Sequence, residues 1–242
     1  MSEKMEVRYV VIDEAQDFSL FQFYALKAIL NTERFTILGD LSQGIHSYKA
    51  IKDWESVLEG VFVKDKSTFL TLEQSYRTTI EIMEVANKVI SLWPSEGLLL
   101  AKPVVRHGEV PELLPCDSKD FLLKAIERKL AQFKKEEFKS IALIGKTLKE
   151  CQKIHKALQQ NKVTGIALLD GKDDSYHHEV VIVPSYLAKG LEFDAVMIIS
   201  YEEQFGEDEL DVKLLYVAMT RALHRVSIFY LPETQGILKH LN

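Results

Sequence analysis

The chain has 242 residues, 47% apolar and 27% charged, the balance of an ordinary globular protein with a core of its own. No apolar run approaches the roughly 20 residues that cross a bilayer, and Met1 to Val7 carries no signal-peptide hydrophobic stretch. The net charge of −6 argues against a protein whose main task is to coat nucleic acid, although a local basic channel is compatible with it, and Cys116 and Cys151, without metal-ligand spacing, read as reduced thiols in the cytoplasm.

Tyr9 to Ile12 is a short β-branched run, read as a buried parallel strand whose carboxyl end carries polar groups. Ser19 to Leu30 reads as a helix, Phe35 to Leu38 as a second strand closed by Gly39-Asp40, and Trp54 to Val61 as a helix. That alternation is the mark of a doubly wound parallel sheet. Thr68 to Leu72 is the next expected strand, and Thr79 to Leu92 a strong helix ended by breakers from Trp93 to Gly97. The stretch to Pro115 is expected to be irregular. Beyond it, helices are expected over Phe121 to Phe133, Leu148 to Leu158 and Leu214 to Ala222. Strands are expected over Ile141 to Ile144, Gly165 to Leu169, Val180 to Val183, Ala195 to Ile199 and Val226 to Tyr230.

The segment Val10-Val11-Ile12-Asp13-Glu14-Ala15-Gln16-Asp17 is the most informative. A strand ending in Asp-Glu sets two carboxylates at the carboxyl edge of a sheet, where open α/β sheets bind ligands. Magnesium favours a few carboxylate oxygens with phosphate and water. Asp13 is the expected metal ligand, and Glu14 the group that polarises the water attacking a terminal phosphate. Taken alone, the segment reads equally well as an acidic loop capping the next helix through Asp17 or Ser19.

Further segments follow in order: Gly39-Asp40-Leu41-Ser42-Gln43, Gln74-Ser75-Tyr76-Arg77, Ala188-Lys189-Gly190-Leu191-Glu192-Phe193, and Leu215 to Ala222. With Asp13 to Asp17 they resemble the second to sixth motifs of superfamily 1 helicases of the UvrD/Rep/PcrA type. Asp17-Phe18-Ser19 and Leu187 to Val196 are most similar to the helicase IV and HelD branch. The resemblance implies an α/β fold of RecA-like, P-loop NTPase-type parallel sheets. Residues 1–64 would be a partial first lobe and 65–242 a complete second one. It implies ATP and Mg2+ as cofactors and movement on single-stranded DNA as the function.

The resemblance also distributes roles. Gln43 would sense the terminal phosphate, and its amide can both donate and accept. Arg77 and Arg221 would act as arginine fingers, since a planar guanidinium stabilises charge on a transferring phosphoryl group. Tyr76 would stack on adenine, with Gly190 and Glu192 beside the ribose or phosphates. His46, Tyr48 and Lys49 would contact DNA by stacking and charge, with His46 and Tyr48 replacing the family's tyrosine and tryptophan. Tyr186 stands where the family has a DNA-touching histidine.

A nucleotide motor also needs a Gly-x-x-x-x-Gly-Lys-Ser/Thr loop. Gly145-Lys146-Thr147 imitates its end, but the first glycine would fall on Ser140, and no glycine lies between Phe133 and Ile144. Lys146 is therefore read as a surface residue at a strand end. In the family the loop lies well upstream of the acidic motif, whereas twelve residues precede Asp13 here. The expectation is that the isolated chain hydrolyses ATP little or not at all. The alternative is a non-enzymatic module that binds RNA polymerase, as HelD-like factors do. The expected partners are DNA, single-stranded or partly duplex, RNA polymerase on the alternative reading, and the N-terminal helicase portion.

Overall fold

The computed structural model describes residues 7–45, 50–94, 99–104, 106–172 and 179–241. The chain forms two compact units, Met1–Leu72 with Pro94–Leu99, and Glu73–Trp93 with Leu100–Asn242.

In the first unit β1 (Val10–Ile12), α1 (Leu20–Leu30) and β2 (Phe35–Ile37) make a βαβ turn, with Val10 opposite Phe35 and Ile12 opposite Ile37 in parallel register. A capping box starts α1: Ser19 Oγ accepts from Gln22 N at 3.3 Å, and Gln22 Oε1 accepts from Ser19 N at 2.8 Å. Asn31, left-handed at φ 50°, ends it. The short α2 (Trp54–Gly60) is capped by Asp53, which accepts from Ser56 N at 2.6 Å. Ile12, Phe23, Val57 and Val61 form a small core with Trp54 and Phe62 packed on it. Helix α1 is apolar around its whole circumference, yet it buries only the Phe23 side; Phe21 is 78% and Ile29 77% exposed, as is 61% of Val11 on the outer face of β1.

The second unit begins with a small parallel pair, β3 (Gln74–Ser75) and β4 (Lys102–Pro103), with α3 (Ile80–Ser91) between them. The main sheet holds β5 (Glu112–Pro115), β6 (Ile141–Gly145), β7 (Ala167–Leu168), β8 (Val180–Pro184), β9 (Phe193–Ser200) and β10 (Ala222–Tyr230). All pair in parallel, in the order β5-β10-β9-β6-β8-β7. Strands β6 and β8 are buried from end to end, as parallel strands covered on both faces must be. Helices α4 (Lys119–Lys135) and α5 (Leu148–Gln160) cover one face, with Ile126, Phe133 and Ile154 against Leu143, Ile182 and Met197. Helices α3 and α6 (Glu209–Thr220) pack on each other and against β10. The fold is thus the mixed α/β, parallel-sheet class that the alternation of runs implies.

Several local expectations are corrected. Thr68 to Leu72 is not a strand, because no neighbour among the described residues pairs with it; Phe69, Leu70 and Leu72 are exposed. The irregular stretch before Pro115 hides β5, an edge strand that can end in proline because its outer side needs no ladder donor. Helix α6 starts a turn earlier than expected, where Asp208 accepts from Asp211 N at 3.1 Å, and Arg221 and Ala222 lie beyond its end. Lys146 is no free surface residue: Nζ pairs with Asp211 Oδ2 at 2.5 Å and donates to Gln204 O at 3.1 Å.

That pair belongs to a clasp on the β9–α6 connection. Glu150 is fully buried, and its Oε1 accepts from the backbone N–H groups of Tyr201, Glu202 and Glu203 at 2.8, 2.7 and 3.1 Å. Burial pushes the Glu150 carboxyl pKa up while the three amides oppose it. Lys119 and Lys153 both pair with Glu202 and hold its carboxyl at about 2. Asp211 also accepts from Gly206 N at 2.6 Å.

Two outcomes follow from this packing. Glu150→Ala removes the shared acceptor of three backbone N–H groups and empties a buried position, so urea denaturation should show a loss of about 2 kcal/mol or more in the second unit. The first unit, with its small core and half-covered strands, should unfold at lower urea. With Trp93→Phe leaving Trp54 as the only tryptophan, its fluorescence should change before the far-ultraviolet signal of the main sheet; coincident transitions would contradict this.

Candidate functional site

In the first unit the site grows from the carboxyl ends of β1 and β2. Past Ile12 the chain turns sharply: Asp13 Oδ1 accepts from Glu14 N at 2.8 Å, and Glu14 takes φ 51° and ψ 35°, a left-handed conformation. For a residue with a Cβ this costs about 1–2 kcal/mol. The strain leaves both carboxylates exposed at the sheet edge while Ala15 N–H turns inward to Leu38 O at 2.9 Å. Gln16, 1% exposed, joins the two strand ends. Its Nε2 donates to Glu14 Oε2 at 2.6 Å, and its Oε1 accepts from Asp40 N at 3.0 Å. Asp40 in turn accepts from Ser42 N at 2.9 Å and from Gln43 Nε2 at 2.7 Å. Glu14, Gln16, Asp40 and Gln43 thus form one continuous hydrogen-bonded line. Gly39 makes it fit: a Cβ there would stand 2.5 Å from Gln16 Oε1 and 2.8 Å from the Trp54 ring.

In the second unit the candidate residues gather at the opposite end of their sheet, the amino edge of β9 and β10. Arg77 Nε pairs with Glu192 Oε1 at 2.7 Å, both about half exposed. The next residue, Phe193, donates its N–H to Arg221 O at 2.9 Å. Arg221 itself is 1% exposed; Nε donates to Val217 O at 3.1 Å and Nη2 to Thr220 Oγ1 at 3.2 Å. Gly190 carries φ +80° in the loop that leads to Glu192. Tyr76 is exposed, its hydroxyl donating to Gln74 Oε1 at 2.6 Å.

Comparison with known proteins matches the same two regions. The UvrD/REP helicase N-terminal domain family matches residues 2–52, and the UvrD-like helicase C-terminal domain family residues 179–229. The ATP-dependent DNA helicase Rep of Escherichia coli K12 is 24% identical over 164 residues, covering 65% of this chain and 24% of Rep. A protein of Mycoplasma capricolum named "Probable DNA helicase II homolog" is 26% identical over 161 residues, covering 64% of this chain and 22% of its own. Among solved structures, the C-terminal domain of a possible DNA helicase from Lactobacillus plantarum WCFS1 aligns with a TM-score of 0.56 at 27% identity, covering 69% of this chain and 94% of that one. Two stretches of the chain are thus similar to UvrD/Rep-like helicase domains. The chain spans about a quarter of the length of these two curated relatives.

Within this UvrD/Rep-like frame the structure groups the sequence-derived residues unevenly. Glu14 and Gln43 share one hydrogen-bonded line, and Arg77 and Glu192 pair directly. Arg77 and Arg221, alike in the sequence, differ in setting: one side chain is half exposed, the other lies inside the unit. Tyr186 follows the carboxyl end of β8, whereas Glu192 precedes the amino end of β9, so a parallel sheet sets them at opposite edges. His46, Tyr48 and Lys49 lie outside the described residues.

Gln16 and Asp40 have no role assigned from sequence, although both stand inside recognised motifs; the burial that demands a partner for Gln16 is visible only in the fold. The line through Gln16 gives a direct test. Gly39→Ala forces a Cβ into Gln16 and Trp54 and should destabilise the first unit by about 1–3 kcal/mol in urea unfolding followed by Trp54 fluorescence. An unchanged midpoint would show that the close approach is not needed.

Proposed function

We propose that this chain supplies the catalytic carboxylate and the arginines of an ATP-dependent DNA helicase or translocase, which couples ATP hydrolysis to movement along single-stranded DNA. The observation that carries the reading is the Glu14–Gln16–Asp40–Gln43 line, which ties a water-polarising carboxylate to an amide suited to sensing a terminal phosphate.

The donor set suits Mg2+. Among the described residues no group of three or more His, Cys, Asp or Glu side chains could hold a metal ion. Mg2+ is the ion that takes one or two carboxylates and completes its shell with phosphate oxygens and water. Asp13 would hold it, and when bound it neutralises charge on the phosphates. Glu14 accepts the proton of the attacking water. Arg77 stabilises negative charge on the transferring phosphoryl group, and Arg221 is the second guanidinium assigned to that task. Tyr76 offers a ring face to the adenine, with Gly190 and Glu192 at the ribose and phosphates. His46, Tyr48, Lys49 and Tyr186 are assigned to the DNA strand, where stacking tolerates any base. Kinship with the helicase IV and HelD branch, and 3′ to 5′ movement, belong to the same proposal.

The 242-residue chain contains no Gly-x-x-x-x-Gly-Lys-Ser/Thr segment, so its own phosphate release with single-stranded DNA should stay at background. Joined to a RecA-like segment that bears such a loop, it should hydrolyse ATP under DNA stimulation. Glu14→Gln and Arg77→Ala should each then lower kcat by about 100-fold or more. Hydrolysis by the chain alone that vanished with Glu14→Gln would overturn the expected inactivity. Capture of RNA polymerase without DNA-stimulated hydrolysis in the joined protein would favour the non-enzymatic module.

A further inference from the structure

The two arginines assigned to phosphoryl chemistry are held to each other by a third that no sequence motif marks. Strand β10 carries one extra residue near its start: Ala222 is opposite Phe193 and Arg225 opposite Ala195, so Leu223 and His224 together face Asp194 alone. Such a bulge disrupts the ladder and leaves a carbonyl without its regular partner. Arg106 takes that position. Its Nη2 donates to Leu223 O and, at 3.0 Å, to Arg77 O. One terminal nitrogen with two N–H bonds thus bridges the Arg77 backbone to the bulge two residues past Arg221. Continued through the Arg77–Glu192 pair and the Phe193 N to Arg221 O bond, the contacts close a ring.

We propose that Arg106 is a positioning residue for the phosphoryl-transfer site. It fixes the distance between the Arg77 and Arg221 backbones, so that a shift of one is passed to the other. The proposal rests on the helicase reading only for what the arginines act upon; the coupling itself belongs to the structure. The Arg106 segment does not depend on its own side chain for docking, since Ile80 N donates to Arg106 O at 2.8 Å and Gly108 N to Glu81 Oε2 at 2.7 Å. A side-chain substitution should therefore leave the segment in place and free Arg77.

The experiment uses the 242-residue chain and the NMR signal of the Arg77 Nε–H group, assigned by its loss in Arg77→Lys. In the parent chain, exchange of this proton with water should be slow, because it is held by Glu192. Arg106→Gln, too short to reach both carbonyls, should speed that exchange at least about tenfold, the equivalent of 1.4 kcal/mol. Backbone amide exchange in β6 and β9 should remain unchanged. Arg106→Lys, whose ammonium can donate to both carbonyls, should restore most of the protection. Arg77 exchange unaltered in Arg106→Gln, or altered only in step with the β6 and β9 amides, would overturn the proposal. Neither readout involves ATP or DNA. Failure of the helicase reading appears separately, as absent DNA-stimulated hydrolysis in the joined protein.

Discussion

One backbone hydrogen bond, Phe193 N to Arg221 O at 2.9 Å, fixes how the second unit presents its charged groups. It is the first contact between β9 and β10, and each of its residues adjoins a chemically informative one. On one side, Glu192 reaches Arg77; on the other, the chain leaves α6 and enters the bulge that Arg106 caps. A helix end, a glycine loop and a distant arginine segment are thereby referred to one point on a sheet buried on both faces. Interiors of this kind have few soft degrees of freedom, so the amino edge inherits the stiffness of the sheet.

The same logic explains the clasp at the other end. Helix α6 runs back from the carboxyl edge, and any slip at its start would be delivered to Arg221 at its finish. The connection before it is held by Glu150 through three amides, by Lys146 through Asp211 and Gln204, and by Lys119 and Lys153 through Glu202. The surface pair members add little energy individually. The buried carboxylate is different in kind, because one side chain holds three consecutive backbone N–H groups of the connection at once.

What was readable in the sequence follows from what each signal measures. Long β-branched runs such as Val180 to Val183 and Ala195 to Ile199 declare doubly covered strands, and both sit in the middle of the sheet. Edge elements carry no such signature. Glu112–Pro115 becomes a strand only because β10 pairs with it, and Thr68 to Leu72, richer in β-formers, finds no pairing strand among the described residues. Propensity describes the segment; pairing depends on what lies beside it. The site divided likewise. Charged and amide side chains at motif positions, Glu14, Gln43, Arg77 and Glu192, could be singled out from the sequence. Residues that carry only geometry, Gln16 and Arg106, could not, because each acts through backbone groups far away in the chain: Asp40 N for Gln16, and Arg77 O and Leu223 O for Arg106. Arg221 shows the limit from the other direction: a motif names the residue type but says nothing about its burial.

The Gly145-Lys146-Thr147 segment shows how the same three residues serve a different end. A phosphate loop needs several free amides curled around an anion, with a lysine pointing into the curl. Here Thr147 caps α5 at once, accepting from Glu150 N at 3.1 Å, so the helix begins without a loop to form the curl. Gly145 is small for a packing reason, since a Cβ would lie 2.9 Å from Cys151 Sγ. Cys151, whose thiol burial pushes up to about 12, behaves as a core side chain. The lysine is spent on Asp211. Each residue of the imitation motif is therefore engaged in packing: Gly145 and Thr147 seat α5 on the end of β6, and Lys146 holds the connection before α6. A strand–Gly-Lys-Thr–helix pattern acquires phosphate chemistry only where the preceding turn leaves amides unclaimed.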